Sequence, residues 1–419
     1  MTTTTFVCGA ECGLAGSIGQ HFTLTGTGSF STTTVRNGAR SMRVNPTAGV
    51  AYFRSGSGYL PSGTTHVTRV AIRWATLPTS DSMVAIHDYG GSLAGAGFQL
   101  SDSKLYSTVK IAGVFTFGAT GVSVTTDTWY YIDIKTVGSV VTGTADIQVN
   151  ATACGQATGA FASANCADLF LGAQDSETFD AFYDDVVVSQ TAGDYPLGNG
   201  YVWAYVPTSD GTHNVASAGD FDRTLTGTDI TNSTTDAYLL VDAIPFIATD
   251  ISAVECITIT APPNATDYVQ CVFGPAPSSS TAVDTVHGVE VIGALQTASA
   301  GGSPTMDLSL RINDGGTTGD VFTSSVFYQP STPLLKRAHF AVAPSTSTAW
   351  TAAKVNALQA RFGSFDAADS APDGYFGTIM AEVAFITIAV TPEQKNWIRT
   401  GHVPHMFGSI RHRIFGRAW

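Results

Sequence analysis

Five carboxylates lie close together near the middle of the chain: Asp175, Glu177, Asp180, Asp184 and Asp185. Acids at this density suit three kinds of site. Paired carboxylates can act as acid and base in glycoside hydrolysis, and carboxylate oxygens from loops can bind calcium. The same residues can instead cap turns and accept backbone N–H groups where a strand begins.

The spacing of these acids argues against catalysis. Sandwich-type glycosidases place two carboxylates at alternating positions on one strand face. Asp184 and Asp185 are adjacent, so a regular strand points them to opposite faces. The chain also lacks the G-x-S-x-G, G-x-x-x-x-G-K and H-E-x-x-H motifs of common catalytic sites. We therefore predict a protein that is not an enzyme.

Calcium stays open as a cofactor, with Asp180, Asp184 and Asp185 as its candidate ligands. The structural alternative has Asp180 capping a turn and Asp184 or Asp185 accepting backbone N–H groups where a closing strand begins. No other cofactor is expected.

Six cysteines give two candidate disulfides. Cys154 and Cys166 flank a stretch rich in Gly, Ala and Ser, and Cys256 and Cys271 bracket a second loop. Sequence cannot fix their connectivity. Buried thiols and disulfides formed late, after release from a reducing cell, are both open.

The elements that position these residues read as strands. In HVTRVAIRW, Val70, Ile72 and Trp74 share one face while Arg69 and Arg73 take the other. WYYIDIK repeats the alternation, with Tyr130, Ile132 and Ile134 inward and Asp133 and Lys135 outward. Similar runs recur between Gly, Pro, Asn and Asp clusters, which predicts an all-β fold of sandwich or jelly-roll type. One segment, residues 351–362, reads as a helix with Thr351 as its N-cap and Gly363 as its stop.

The segment TAGDYPLGNG, residues 191–200, interrupts this pattern. We therefore predict a β-sandwich over residues 1–190, a linker over 191–200, and a second β-sandwich with one short helix over 201–390.

Residues 391–419 differ in charge from the rest of the chain, because they contain one glutamate and five Lys and Arg residues. This basic, aromatic segment is predicted to be a C-terminal docking arm, and a strand and turn folded back on its own domain is the alternative. Its candidate contact residues are Trp397, Arg399, Phe407, Arg411, Arg413, Phe415, Arg417 and Trp419.

Composition limits the partners. The net charge of −13 means that the body of the chain lacks the basic surface that binds nucleic acid. No apolar run approaches the roughly 18 residues of a membrane span. The first residues, MTTTTF, lack a basic segment followed by an apolar run, so we expect either cytoplasmic synthesis or processing before this numbering begins.

The order of several segments resembles a known family. FVCGAECG, VRNGARSMRVNP, HVTRVAIRW, WYYIDIK, TADIQVN and FYDDVVVS come in the same order as in the concanavalin A/laminin G-like jelly roll of tailed-bacteriophage virion proteins. DYPLGNGYVWAYVPTSDGTHN and the short helix WTAAKVNALQ resemble the segments that come after that jelly roll in such proteins. The resemblance implies a second sheet-rich unit and supplies no catalytic residues.

The resemblance and the composition together predict a virion structural protein of a tailed phage. It would be a tail-associated or tail-tip subunit that assembles in the host cytoplasm as a homo-oligomer, with a trimer favoured, and contacts other virion proteins. Two alternatives stay open: a capsid decoration protein, and a carbohydrate-binding adhesin that contacts host surface glycans. Trp74, Tyr89, Tyr106 and Trp129 are the aromatic candidates for the adhesin, although Trp74 falls on the apolar face and suits a core.

Overall fold

The computed structural model describes residues 4–10, 22–38, 40–55, 60, 62–216, 220–223, 228–242, 256–259, 266–274, 285–297, 305–327, 334–364 and 374–386. Its strands form four antiparallel sheets, two before Ser189 and two after Gly200. The prediction of an all-β fold built from β-sandwiches is confirmed. No helix in the described ranges is long and apolar enough to cross a membrane.

Sheets A and B form the N-terminal sandwich. Sheet A contains β1 (Thr4–Cys8), β3 (Gly28–Ser31), β4 (Ser41–Val44), β6 (Thr65–Thr76), β11 (Trp129–Val137), β12 (Gly143–Val149), β13 (Thr152–Ala153), β14 (Ala157–Gly159) and β16 (Asp180–Ser189). Sheet B contains β2 (Phe22–Thr25), β5 (Gly49–Ser55), β7 (Ser82–Asp88), β8 (Leu93–Gln99), β9 (Lys104–Ile111), β10 (Val114–Ser123) and β15 (Asp168–Glu177). The order in sheet B is β10-β9-β8-β7-β15-β5-β2.

Sheets C and D form the C-terminal sandwich. Sheet C contains β17 (Gly200–Tyr205), β19 (Phe221–Arg223), β20 (Thr228–Asp229), β21 (Ile257–Ile259), β23 (Thr285–Thr297), β26 (Leu334–Phe340) and β28 (Gly374–Ile386). Sheet D contains β18 (Pro207–Asp210), β22 (Tyr268–Phe273), β24 (Thr305–Asn313), β25 (Thr318–Phe327) and β27 (Gln359–Ser364), in the order β18-β22-β27-β24-β25. Short 3₁₀ turns span Ala192–Asp194 and Ala237–Leu240.

The cores follow the predicted alternation. Val70, Ile72 and Trp74 of β6 are buried in one apolar cluster, which alternate residues of β11 join from the neighbouring strand. This is the face that the sequence pattern assigned to the interior. The C-terminal sandwich has a separate core, to which Phe362 and Phe376 contribute an edge-to-face ring pair with centroids 5.2 Å apart.

The predicted helix begins where expected and ends early. Helix α1 spans Ala352–Asn356, and the Thr351 side chain accepts a hydrogen bond from the backbone N–H of Lys354. The prediction that the helix continues to residue 362 is wrong, because Gln359–Ser364 form β27. Ala360 and Phe362 alternate into the core, and their contacts across two neighbouring strands outweigh the helical preference of a short segment.

The two sandwiches pack directly against each other. Val67 and Val187 of sheet A contact Leu197, Val202 and Ala384 in a small buried cluster. Strand β1 pairs with β16 and also approaches β23 of sheet C. One outer side of sheet A is therefore covered by the C-terminal sandwich.

This contact buries charges that the alternation pattern directs outward. Arg69 and Asp133 lie opposite each other on β6 and β11, and both are fully buried. Arg69 donates from Nη1 to the carbonyl of Phe385 across the interface at 3.3 Å, and Asp133 accepts from the backbone N–H of Gly198 at 3.2 Å. Burial raises the pKa of Asp133 to about 6 and lowers that of Arg69 to about 10.

Candidate functional site

Two members of the acidic cluster, Asp180 and Asp185, are ion-paired with arginines. Asp180 receives two hydrogen bonds from Arg43, from Nε at 2.9 Å and from Nη2 at 2.7 Å. It therefore forms a bidentate ion pair between β16 and β4 instead of capping a turn. Glu177 is buried and accepts from the hydroxyl of Ser80, and its burial raises its pKa.

Asp184 and Asp185 act together, and the prediction that they point to opposite faces is wrong. Asp185 adopts a φ of 55°, and the pairing of β16 with β6 shifts register directly after Asp184. This bulge turns both carboxylates toward one loop. Asp184 accepts from the backbone N–H groups of Arg36 and Asn37 at 3.0 and 3.4 Å, while Asp185 accepts from their side chains at 2.5 and 2.7 Å.

This arrangement favours the structural interpretation over calcium. The carboxylate oxygens of Asp180, Asp184 and Asp185 accept N–H groups of the protein, and Asp185 also accepts from the backbone of Val202 at 2.6 Å. Among the described residues, no group of three or more His, Cys, Asp or Glu side chains could hold a metal ion.

Asp175 is placed differently from the rest of the cluster. The pairing of β15 with β5 skips from Ala173 to Glu177, so the residues between them form a bulge. Asp175 extends from this bulge and forms an ion pair with Lys110 of β9. Strands β7 and β8 lie between the two partners in sheet B, a separation of three strand spacings or about 14 Å along a flat sheet.

The ion pair shows that the open side of sheet B is concave. Lys110 pairs with Leu93 at the start of β8, whereas Asp175 lies near the end of β15, so the contact joins diagonally opposite corners. A twisted sheet that curls along this diagonal brings such corners together. We call this side the aromatic face. It comprises Tyr52, Arg54, Met83, Ile86, Leu93, Tyr106, Lys110, Phe115, Phe117, Asp168 and Phe170.

The floor of the aromatic face is apolar. Met83, Ile86, Leu93 and Phe170 form a buried cluster that is separate from the main core of the sandwich. Tyr52, from a strand on one flank, packs against this cluster, and so does Phe115 from the opposite edge strand. Both rim side chains are partly exposed. The face is therefore a trough with aromatic residues on both walls.

The aromatic rings at the rim form two ring pairs, and a basic side chain lies beside each pair. Tyr52 and Phe170 meet edge to face with ring centroids 4.9 Å apart, and Phe115 and Phe117 stack in parallel with centroids 5.8 Å apart. The ammonium of Lys110 lies 4.6 Å from the centroid of Phe115, and the guanidinium of Arg54 lies 5.6 Å from that of Phe170. These contacts restrain the rings and place charge beside each wall.

Two further polar pairs complete the face. Arg54 donates to Asp168 at 2.7 Å, a bond that raises the pKa of Arg54. The other oxygen of Asp168, Oδ1, is buried and has no hydrogen-bond partner among the described residues. Tyr106 donates to Asp102 at 2.6 Å, and this bond lowers the pKa of the aspartate.

The aromatic residues proposed from sequence are mostly elsewhere. Trp74 and Tyr89 are fully buried, and Trp129 lies on sheet A. Only Tyr106 belongs to the aromatic face, and it is largely buried. The rim residues Phe115 and Phe117 were missed, although alternation in VFTFG would have identified two phenylalanines on one side of an edge strand.

The cysteines of the two candidate disulfides are thiols. Cys154, Cys166 and Cys271 are free, so neither predicted disulfide is formed, and Cys256 is buried. Burial raises the pKa of Cys154 to about 11 and that of Cys166 to about 12, which keeps both thiols protonated and unreactive near neutral pH.

Two other candidate regions contribute little to the site. A polar cleft of about 350 Å³ in the C-terminal sandwich contains an ion pair between Arg223 and Asp236 but has no aromatic residue in its lining. The predicted arm, with Trp397, Arg399, Phe407, Arg411, Arg413, Phe415, Arg417 and Trp419, lies outside the described residues.

Comparisons with known proteins give low similarity throughout. No family model matches the chain, and no curated protein matches it. Among solved structures, the tandem CBM22 domains of Paenibacillus barcinonensis Xyn10C are similar at 9% identity over 91% of this chain and 97% of that one, with a TM-score of 0.27. Domains LG4-5 of the mouse laminin alpha1 chain are similar at 11% identity over 83% and 90%, with a TM-score of 0.25.

A third similar structure covers one half of the chain. Domain 4 of AbnA, a GH43 extracellular arabinanase from Geobacillus stearothermophilus solved in complex with arabinotriose, is similar at 14% identity over 45% of this chain and 93% of that one, with a TM-score of 0.35. At these TM-scores none of the similarities carries an argument about function.

Proposed function

We propose that this chain is a glycan-binding protein without catalytic activity, and that the aromatic face is its binding surface. One observation carries the proposal: the Lys110–Asp175 ion pair curls sheet B into a trough with partly exposed aromatic rings on both walls. Concave sites of this kind, mainly apolar with a few fixed polar groups, are where proteins bind small ligands.

The chemistry of the face suits sugars. The apolar C–H surface of a pyranose packs on an aromatic ring, as Phe115 and Tyr52 would allow from opposite sides. Sugar hydroxyls then need charged or polar partners that are already held in place. Arg54 and Lys110 supply donors, and Asp168 and Asp175 supply acceptors, since each member of these ion pairs keeps further hydrogen-bonding capacity.

A binding role fits these carboxylates better than hydrolysis. On the aromatic face, Asp168 is ion-paired with Arg54 and Asp175 with Lys110. Asp180 and Asp185, outside the face, are likewise bound to arginines.

The particle context is a second part of the proposal. The sequence resemblance to tailed-phage virion proteins supports a tail-associated or tail-tip subunit, in a homo-oligomer with other virion proteins as neighbours. The buried contact between the sandwiches, through Val67, Val187 and Ala384, gives the paired units a fixed arrangement suited to a structural part. On such a particle the glycan-binding face would serve as a host adhesin.

The binding proposal can be tested with purified protein on arrays of bacterial surface glycans, followed by calorimetry. We expect binding in the micromolar to millimolar range. Phe115→Ala should weaken it about tenfold or more, because a stacking surface is lost. Tyr131→Ala is the matched control, since Tyr131 is a partly exposed aromatic residue of sheet A. Equal affinity of the Phe115→Ala and Tyr131→Ala variants for the glycan would overturn the proposal. So would the absence of any bound glycan.

A further inference from the structure

Two arginines lie side by side on the outer side of the C-terminal sandwich. Arg311 of β24 and Arg361 of β27 are direct cross-strand partners in sheet D. Their strand neighbours Leu310 and Phe362 are in the core, so alternation directs both arginines away from it. Like charges opposite each other on neighbouring strands destabilise a sheet. This cost is removed when an anion binds between them.

The guanidinium of Arg361 is held in a fixed orientation. Its Nε donates to Oε1 of Gln270 at 2.6 Å, and its central carbon lies 4.4 Å from the centroid of the Tyr268 ring. Both supporting residues come from the adjacent strand β22. The two Nη groups, by contrast, have no acceptor among the described residues. The Nε edge and one face of the Arg361 guanidinium are therefore occupied. The edge formed by its two Nη groups is open, and this edge suits an anion with two oxygens.

Arg311 is only partly neutralised. Its Nε lies 2.9 Å from Oδ1 of Asp320, whose side chain is 60% exposed. Asp320 is the one carboxylate within ion-pair distance of either arginine in the described part of the chain. Two cations and one anion leave this cluster with a charge of +1 on a chain whose net charge is −13.

The surface beside Arg361 is closely packed on its own strand. The next residue of β27 on the same side is Gly363, which pairs with Tyr268 on one neighbouring strand and with Ser309 on the other. A Cβ at Gly363 would lie 2.5 Å from the backbone carbonyl oxygen of Asp267, so the space over this glycine is filled and a ligand is held by the guanidinium edges alone.

We infer that Arg311 and Arg361 bind the anionic group of an acidic sugar, either a carboxylate or a sulfate. The arginine fork matches two oxygens of such a group bidentately. The inference rests on the proposed glycan-binding function for the sugar itself. It adds a second site on the other sandwich and a preference for acidic over neutral glycans.

The test uses the full chain and calorimetry with two oligosaccharides of equal length, an oligogalacturonate and its uncharged methyl ester. We expect the acid to bind about tenfold or more tightly than the ester. Arg361→Gln should remove this preference. Arg361→Lys should restore only a small part of it, because an ammonium keeps the charge and loses the fork. Arg73→Gln, which removes an arginine of sheet A, is the matched control and should keep the preference.

The outcomes separate the two proposals. If the acid and the ester bind equally to the unchanged protein, and Phe115→Ala weakens both, the acidic-sugar site is wrong and the aromatic face stands. If the acid alone binds, and only Arg361→Gln abolishes it, the arginine site stands and the aromatic face is not the glycan site. If inorganic sulfate binds at Arg361 and the protein does not prefer the oligogalacturonate to its methyl ester, the assignment of this site to an acidic sugar is overturned.

Discussion

Lys110 on β9 and Asp175 on β15 form an ion pair between opposite corners of sheet B, across two intervening strands. The contact depends on the bulge between Ala173 and Glu177, which carries Asp175 out of the pairing of β15 with β5. Lys110 is largely buried and also lies against Phe115, so the ion pair and the aromatic wall share one side chain. The curvature of the face and the position of its wall are therefore coupled.

We expect this coupling to be measurable in a double-mutant cycle. Lys110→Met and Asp175→Asn should each lower the free energy of unfolding, and the double variant should show a coupling of about 1 kcal/mol. Urea unfolding of the four proteins gives the value. Both single variants should also bind glycan more weakly, because the wall formed by Phe115 loses its support. A coupling near zero together with unchanged glycan affinity would show that the pair does not shape the face.

A second prediction concerns pH. Burial raises the pKa of Asp133 in the folded protein to about 6, above the value of about 3.9 in an unfolded chain. Between these values the folded state binds the proton more often, so the free energy of unfolding falls as the pH rises from about 4 to 6. The full shift corresponds to roughly 3 kcal/mol as an upper value.

Asp133→Asn isolates this contribution, because asparagine does not titrate. As the pH rises from about 4 to 6, the unfolding free energy of the unchanged protein should fall relative to that of the Asp133→Asn variant. Lys135→Gln, on the same side of β11 and partly exposed, serves as the control for charge removal. A pH-independent difference for Asp133→Asn would mean that the carboxyl titrates normally.

A third prediction concerns the contact between the sandwiches. Arg69 is fully buried, bonds to the carbonyl of Phe385, and faces Asp133 across the strand pair. Arg69→Met would leave Asp133 and the nearby Asp185 without this compensating charge, at a cost of about 3 to 5 kcal/mol. In calorimetry we expect one cooperative transition for the unchanged protein and two for the variant, as the sandwiches unfold separately. A single transition with less than about 1 kcal/mol lost would contradict this role.

Arg69 and Asp133 also show what the sequence could and could not predict. Alternation in β6 and β11 correctly placed Val70, Ile72 and Ile132 in the core, because that pattern is a local property of each strand. It also directed the two charged residues away from the core, which is correct. It could not predict that this outer side is covered, because the covering residues come from β17 and β28, far along the chain.

The candidate site was harder to predict for the same reason. Its parts come from strands separated in sequence, and the curvature that joins them arises from a bulge that no motif marks. Asp184 and Asp185 are a second example, since a residue with positive φ at Asp185 reverses the expected alternation. In both cases tertiary contacts determine the local backbone conformation.

The last prediction concerns residues 391–419, whose role rests on composition. Five Lys and Arg residues with four Phe and Trp residues, set against an acidic remainder of the chain, favour docking onto a neighbouring subunit. Light scattering should give a trimer or larger ring for the full chain and a monomer for a variant ending at residue 390. A full-length variant with Arg411, Arg413 and Arg417 changed to Gln separates charge from length, and should dissociate at a lower salt concentration than the unchanged protein. Equal masses for the full chain and the shortened variant would show that this segment does not hold subunits together, and the glycan-binding role would then have to act from a monomer or through another interface.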